Sequence, residues 1–377
     1  MTSCLWLVCT LVAIIGSAYA VLAALLVARF ARRPKPILAS AENVTLIKPL
    51  YGAETGLEAS LASFCAQKYP AELQMLCGVQ DPTDPAIKIV HTLQKQFPSL
   101  DLEVVQGTRR AGGNPKIANI ISMFPRAKHD VIVLSDSDMR VAPDYVGETL
   151  ACLQQPGVGL VTCLYRGDAL EGFRSRMAAA AVNQHFLPSV LVGVALGLAK
   201  PCFGSTIALR RDTLERIGGF EAFANTLADD YAMGEAVRGL GLKVEIAPFV
   251  VSHTFAEKSF GELWAHEIRW ARTIRLVDPM GYAGSIVAHP LPFALAALPL
   301  SGFSAIAWMI LAGTLACRLF VPIQVLRLGG GDKSSIWLSP LRDVLSFVVF
   351  VASYMPGAVN WRGRRYNVGS DGTVTPI

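Results

Sequence analysis

The chain has 377 residues, 52% of them hydrophobic and only 17% charged, with a formal net charge of +5. A mean hydropathy of +0.42 excludes an ordinary soluble enzyme, and the modest positive charge, with no aromatic and basic platform, excludes a nucleic-acid binder. Eight cysteines include no CxxC pair, so a zinc or disulfide framework is set aside and small buried hydrophobes are expected.

Taken from the start, residues 4–28 (CLWLVCTLVAIIGSAYAVLAALLVA) carry no charge and exceed the about 20 residues that cross a bilayer as a helix. A cleaved signal is the alternative, since SAYA resembles a cleavage site. No basic residue precedes the run, and VLAALLVA continues it, which favours an uncleaved anchor. Arg29, Arg32, Arg33 and Lys35 follow at once; by the positive-inside bias they place the next segment in the cytoplasm, against an anionic membrane surface.

Residues 43–280 read as alternating strands and helices. NVTLIKPLYG is a strand and turn, LEASLASFCAQKYP a helix stopped by Pro70, and LQMLCGVQD a strand ending at Asp81. A helix to about Phe97 leads to the strand LDLEVVQG; KIANIISMF is helical and HDVIVLSDSD is the strongest strand of the chain. Near-continuous apolar strands between helices predict a largely parallel α/β sheet covered on both faces. Ligands of such sheets bind beyond the carboxyl ends of the strands, where Asp81, Asp136 and Asp138 fall. Neither GxGxxG nor GxxxxGK[ST] is present, and GGN at 112–114 is read as a structural turn.

Three sites carry potential chemistry, each with a bland alternative. Asp136 and Asp138 are either solvated loop acids or a pair that reaches one metal–nucleotide complex where the strand turns. Asp229 and Asp230 open a helix; they either cap it or supply the base that an acceptor hydroxyl requires. In HEIRWARTIR (266–275), Trp270 with Arg269, Arg272 and Arg275 forms an interfacial belt, or else packs on a sugar and neutralises a leaving diphosphate.

The chain turns apolar again from about Ser285 to Leu326 and from about Val344 to Ala358. Spans are expected at roughly 285–301 and 303–325, the first weakened by Pro290, Pro292 and Pro299. Basic residues at Arg327–Arg342 and Arg362–Arg365 favour the cytoplasm, which requires an odd number of crossings, so one of these segments lies in the interface or re-enters.

The order VQD (79–81), SDSD (135–138), ADDY (228–231) and HEIRW (266–270) resembles the D, D, D, (Q/R)xxRW series of family 2 and 21 inverting glycosyltransferases. VQDPTDPAI, NPKIAN, DSDMRV, GGFEAFANTLADDYAMG and the terminal WRGRRY look like the ceramide glucosyltransferase family, closest to its bacterial branch with the hopanoid-biosynthesis glycosyltransferase. The resemblance spans nearly the whole chain. It implies an α/β GT-A nucleotide-diphospho-sugar transferase domain at 31–282, an anchor at 1–30, and transmembrane or interfacial helices with a basic tail at 283–377. The implied location is the bacterial inner (cytoplasmic) membrane, with the catalytic domain facing the cytoplasm.

Carried over by residue, the resemblance assigns Asp81 to the uracil or ribose end of UDP, and Asp136 and Asp138 to the nucleotide and a Mg²⁺ or Mn²⁺ ion, with Asp138 the direct ligand. Asp230 becomes the base with Asp229 beside it, and Arg269 and Trp270 close over diphosphate and acceptor. Lys48 and Lys116 contact the nucleotide or are solvated. His266 departs from the Gln or Arg of the motif, yet an imidazole still donates a hydrogen bond. His185 and His253 are read as acceptor lining and metal ligation, or as satisfied structural histidines.

The expected activity is metal-dependent, inverting transfer from a UDP-sugar to a membrane-lipid hydroxyl, with N-acetylglucosamine passing to a hopanoid polyol. Ceramide receiving glucose is the second reading. A processive polysaccharide synthase would carry more spans, and a non-catalytic lipid-binding protein would not need the separate acidic sites. The expected partners are the UDP-sugar, the lipid acceptor and the bilayer, with no nucleic acid.

Overall fold

The computed structural model describes residues 2–107, 112–329 and 336–355, together with the backbone of the strands Val359–Trp361, Arg364–Val368 and Val374–Pro376. The side chains of WRGRRY and the end of the last apolar stretch lie outside the described residues. Contacts divide the chain into two compact units. One comprises Pro34–Tyr165, Pro201–Thr254 and Trp361–Ile377; the other comprises Met1–Arg33, Arg166–Lys200 and Phe255–Asn360.

The first unit is built on β1 (Val44–Pro49), β2 (Leu73–Val79), β3 (Asp101–Gln106), β4 (Val131–Leu134), β5 (Met139–Arg140), β6 (Val158–Ala169), β7 (Ile207–Arg210) and β8 (Lys243–Phe255). They form one sheet of eight strands in the order β3-β2-β1-β4-β7-β6-β8-β5. β1 runs parallel to β2 and β4, and β2 parallel to β3, with the helices Leu57–Cys65, Ala86–Gln96 and Pro115–Met123 between them. Beyond β4 the sheet turns antiparallel: β7 against β4, β6 against β7, and β5 against β8. The sheet is therefore mixed, not largely parallel as the sequence implied. An unbroken apolar run reports burial on both faces and carries no information about direction; β7, buried at Ile207, Ala208 and Leu209, reads like a parallel strand.

Every residue of β1 is buried. Thr45 tolerates this because its hydroxyl donates to the buried Gln74 Oε1 at 2.9 Å. Ile47, Leu76 and Leu134 of the sheet pack with Ile117 and Ile120 of the helix Pro115–Met123 in one core. That helix lies so close to β2 that a Cβ on Gly78 would come within 2.3 Å of Met123 Sδ. Asn119 Nδ2 donates to the Gly78 carbonyl across the same gap at 2.8 Å.

The second unit is helical. Ser3–Phe30, Gly172–Ala195 and Ala305–Leu328 are each long and apolar enough to cross a membrane, and Pro279–Ala288 with Pro290–Leu300 forms a pair bent by 57°. The expected span at 285–301 is thus broken beside Pro290, which lacks the N–H that would continue a helix. Gly172–Ala195 was not anticipated, because Arg174, Arg176 and His185 interrupt its apolar pattern. The last apolar stretch is the helix Ser339–Ala352, 14 residues, too short for a span.

Small residues allow close helix approach in this unit. A Cβ on Gly16 would lie 2.5 Å from the Val287 carbonyl oxygen and 2.8 Å from Pro290 Cβ, while one on Gly313 would meet nothing within 4 Å. Ser17 Oγ and Thr314 Oγ1 share a hydrogen bond of 3.0 Å nearby. Gly16→Ala is expected to lower stability by about 1–3 kcal/mol through overpacking, seen as a lower melting temperature in detergent, whereas Gly313→Ala leaves the melt unchanged.

Candidate active site

The parallel strands end together. Ile47 pairs with Leu134 and Lys48 with Cys77, so Lys48, the loop after Val79 and the loop after Leu134 share one edge of the sheet. Asp81, Asp136 and Asp138 lie on those loops, the place where α/β sheets bind ligands. The turn after β4 sends the two acids to different partners. Asp136 Oδ1 lies 2.9 Å from Lys116 Nζ, whereas Asp138 Oδ2 lies 3.0 Å from His253 Nε2. Sheet register explains the second pair: Met139 of β5 opposes His253 of β8, and the amide and hydroxyl of Thr254 both donate to the Asp138 carbonyl at 3.0 Å.

Asn114 holds the other acidic pair to the same place. Its Oδ1 caps the helix Pro115–Met123 by accepting from the Lys116 amide at 2.9 Å and the Ile117 amide at 3.2 Å. Its Nδ2 donates to Thr226 O at 2.8 Å and to Asp229 Oδ1 at 3.1 Å. The glycine turn before it is structural: Gly112 has a φ of 73°, and a Cβ there would sit 2.3 Å from the Ala224 carbonyl oxygen. Lys116 Nζ completes the bridge, 3.2 Å from Asp229 Oδ2.

Asp230 opens the helix Asp229–Gly239 without capping it. Its Oδ2 accepts from the Gly204 amide at 2.9 Å and its Oδ1 from the Tyr231 amide at 2.8 Å. The Gly204 carbonyl accepts in turn from the Asp136 amide at 3.0 Å. Gly204 thereby joins the two acidic motifs, and a Cβ on it would lie 2.6 Å from Asp136 Oδ2 and 2.9 Å from Lys116 Nζ. Sequence reasoning missed this glycine and Asn114. The Asn-Pro pair was the available signal for a cap; Gly204 had none.

Charge and burial act against each other here. Burial alone would lower the pKa of the Lys116 ammonium, but Asp136, Asp229 and Asp230 hold it well above the usual lysine value. Lys48 is completely enclosed. Burial lowers its pKa to about 7 against the pull of Asp136 and Asp138. Its ammonium sits 3.7 Å over the Phe64 ring and donates to Ser135 Oγ at 3.1 Å and to the Asp136 carbonyl, bracing the acidic turn from behind. Burial, then the neighbouring Asp229 carboxylate, raises Asp230 to about 6. Asp81 is exposed, and hydrogen bonds from the Thr83 hydroxyl (2.6 Å) and amide (2.8 Å) hold its carboxyl below the usual range.

The remaining candidates belong to the helical unit. His266, Arg269 and Trp270 lie on the helix Phe260–Val277, capped by Ser259 Oγ on the Glu262 amide. The His266 ring packs edge-on to Trp270 at 4.4 Å, and its Nδ1 lies 3.2 Å from Glu257 Oε1. Phe186 and Phe255 pack on Trp270 at 6.4 and 6.3 Å. His185, Asp343 and Arg318 form a buried polar cluster, with His289 stacked on His185 at 5.1 Å.

Among the described residues, two places offer ligands for a divalent ion. Asp138 and His253 fit one: a carboxylate oxygen and an imidazole nitrogen 3.0 Å apart form a mixed donor set that suits Mn²⁺ better than Mg²⁺, which prefers oxygen ligands. His185, His289 and Asp343 fit poorly although their ligand atoms lie within 4.8 Å of one another. Arg318 Nη2 is 2.9 Å from both Asp343 Oδ1 and His185 Nε2, so a guanidinium already supplies the positive charge.

A mixed sheet with clustered carboxylates beyond its parallel strand ends defines a GT-A-like α/β nucleotide-sugar transferase fold. Residues 8–374 match the model of glycosyl transferase family 21, and the chain belongs to that family. Ceramide glucosyltransferase 3 of Caenorhabditis elegans is 24% identical over 89% of this chain and 75% of its own. The Candida albicans ceramide glucosyltransferase is 34% identical over 26% of this chain and 20% of its own. In fold the chain is similar to a mannosyltransferase from Pyrobaculum calidifontis solved with GDP-Man and Mn2+, with a TM-score of 0.57 and 22% identity over 92% of this chain and 98% of that one. The chain is thus a ceramide glucosyltransferase-like glycosyltransferase. Its three candidate spanning helices, with such relatives, indicate membrane association.

Gly204→Ala is expected to displace the Asp136 carboxylate and the Lys116 ammonium and to raise the KM for the sugar donor about tenfold, equivalent to about 1.4 kcal/mol. Steady-state kinetics against donor concentration check this.

Proposed function

We propose that the protein is a membrane-anchored, metal-assisted inverting transferase that moves one sugar from a UDP-sugar to a hydroxyl of a membrane lipid. The observation that carries this reading is Asp230: a carboxyl raised to about 6, held by two backbone amides in the same cluster as the acidic turn after β4. Such a group is ionised at neutral pH and basic enough to take a proton from a hydroxyl as that hydroxyl attacks.

In the proposed reaction the acceptor oxygen bonds to the anomeric carbon, the bond from that carbon to the diphosphate breaks, and the hydroxyl proton passes to Asp230. Asp138 and His253 would hold a divalent ion, which would supply charge neutralisation at the diphosphate. Asp136 is positioned by Lys116, and Lys48 supports the turn. Asp81 binds the uracil or ribose end of the nucleotide. Arg269 and Trp270 act on the leaving diphosphate and the acceptor, with His266 in place of the motif's Gln or Arg. The domain boundaries proposed are an anchor at 1–30, the transferase at 31–282 and membrane or interfacial helices at 283–377. We place the transferase on the cytoplasmic face of a bacterial inner membrane, from the basic residues after Phe30.

For the acceptor, the segments HEIRWARTIR and VDPMGYAGS support a hopanoid polyol receiving N-acetylglucosamine. The names of the relatives support the second reading, ceramide receiving glucose. Purified protein incubated with separate radiolabelled UDP-sugars and a mixed lipid extract distinguishes them: label on a hopanoid supports the first reading, label on a sphingoid base the second.

Asp230→Asn is expected to lower turnover by about 10²–10⁴-fold, the usual worth of a general base, with the fold intact; unchanged transfer removes Asp230 from the role. The sign of the pH effect follows from its raised pKa. Because the ionised carboxylate is the active form, turnover falls roughly tenfold per unit as pH drops below about 6 and levels off above it. A pH–rate profile of the wild-type enzyme checks this.

A further inference from the structure

Arg342 and Asp343 are adjacent, both almost completely enclosed, and carry opposite charge. They begin a short helix in the apolar helical unit, where a buried charge is costly unless paired. Each is paired, in a different direction. Asp343 accepts from the Leu291 amide at 3.2 Å and meets Arg318 at 2.9 Å and His185 at 3.1 Å, so it binds to the helices that read as membrane segments. Arg342 turns to the helix Phe260–Val277. Its Nη1 and Nη2 donate to Glu267 Oε1 and Oε2 at 2.6 and 2.8 Å, the fork-to-fork geometry that fixes orientation as well as distance. Nη1 also donates to Met177 O at 3.2 Å, and Nε to Ser346 Oγ at 2.9 Å, so the guanidinium itself is immobilised.

Glu267 is the residue between His266 and Ile268 in HEIRW. It shares the helix Phe260–Val277 with His266, Arg269 and Trp270. At 3.6 residues per turn, the rotation of that helix about its axis sets where His266, Arg269 and Trp270 all point. Aromatic packing holds the helix at Trp270, with Phe186 tilted by 43° and His266 edge-on. The bidentate ion pair at Glu267 adds a directional anchor one turn away.

We infer that Arg342 is a positioning residue for the transferase reaction: through Glu267 it sets the rotational phase of the helix that carries Arg269 and Trp270. The inference rests on the role proposed above for those two residues. Arg269 and Trp270 are assigned to the leaving diphosphate and the acceptor, contacts that strengthen as the bond to the diphosphate breaks, so loss of the pair lowers turnover and leaves ground-state donor binding alone. A purely structural pair would change the folded yield and not the turnover of each folded molecule.

The test is a double-mutant cycle on the full-length protein in lipid nanodiscs, with Arg342→Lys, Glu267→Gln and the two combined. Glu267→Gln keeps the shape of the side chain and removes its charge, while Arg342→Lys keeps the charge and removes the fork. Turnover is measured per folded molecule, with folded protein counted by size-exclusion chromatography, and KM is measured for the UDP-sugar. The expected result is a loss of kcat of about tenfold in each single variant at unchanged donor KM, with the double variant no slower than the worse single, since both remove the same interaction. Full turnover per folded molecule, a loss confined to donor KM, or losses that multiply in the double variant would each overturn the inference. Asp230→Asn, run in parallel, separates this outcome from the fate of the catalytic assignment: transfer that survives that change removes the proposed base, whatever the cycle shows.

Discussion

The site depends on one buried ammonium. Lys116 Nζ lies 2.9 Å from Asp136 and 3.2 Å from Asp229, carboxylates from loops more than 90 residues apart in the chain. Carboxylates gathered in a partly dehydrated place repel one another strongly. Lys116 supplies the counter-charge and draws the two together. Asn114, two residues earlier, fixes the start of the helix that carries the lysine and grips Asp229 with the same side chain. Helix capping and charge pairing are therefore one device.

Around that hub the remaining groups differ by how much water they retain. Asp81 is exposed, and hydrogen bonds from Thr83 hold its carboxyl below the usual range. Asp230 is half-buried beside Asp229 and raised to about 6, suited to taking up a proton. Lys48 is sealed behind the acidic turn, where its charge steadies the backbone of Asp136 and does not reach solvent. Three ionisable residues around the cluster thus acquire three different acidities from burial and neighbours.

The helical unit follows a different rule. Its packing is by small residues, with Gly16 against a backbone carbonyl and Ala20 and Ala24 against Val321. Orientation comes from a few enclosed charges, of which Asp343 faces the apolar helices and Arg342 the helix of the HEIRW motif. In a medium without water, such pairs persist because neither partner has an alternative.

Much of this was legible in the sequence. The strand and helix alternation from Val44 to Leu134, the apolar helix over residues 4–28 and the acids at the strand ends follow from local pattern, because burial periodicity and strand-end acids are written in neighbouring residues, whereas ADDY and HEIRW stood out only through the family resemblance. The antiparallel half of the sheet was not, since an apolar run has the same appearance in either direction. The apolar helix over Gly172–Ala195 was hidden by Arg174, Arg176 and His185, which interrupt its local pattern. Gly204, Lys116 as the hub, and the Arg342–Glu267 pair were decided only by tertiary structure. Their importance lies in which distant atom stands within 3 Å or so of them, and a linear pattern records residue type and spacing but not that proximity.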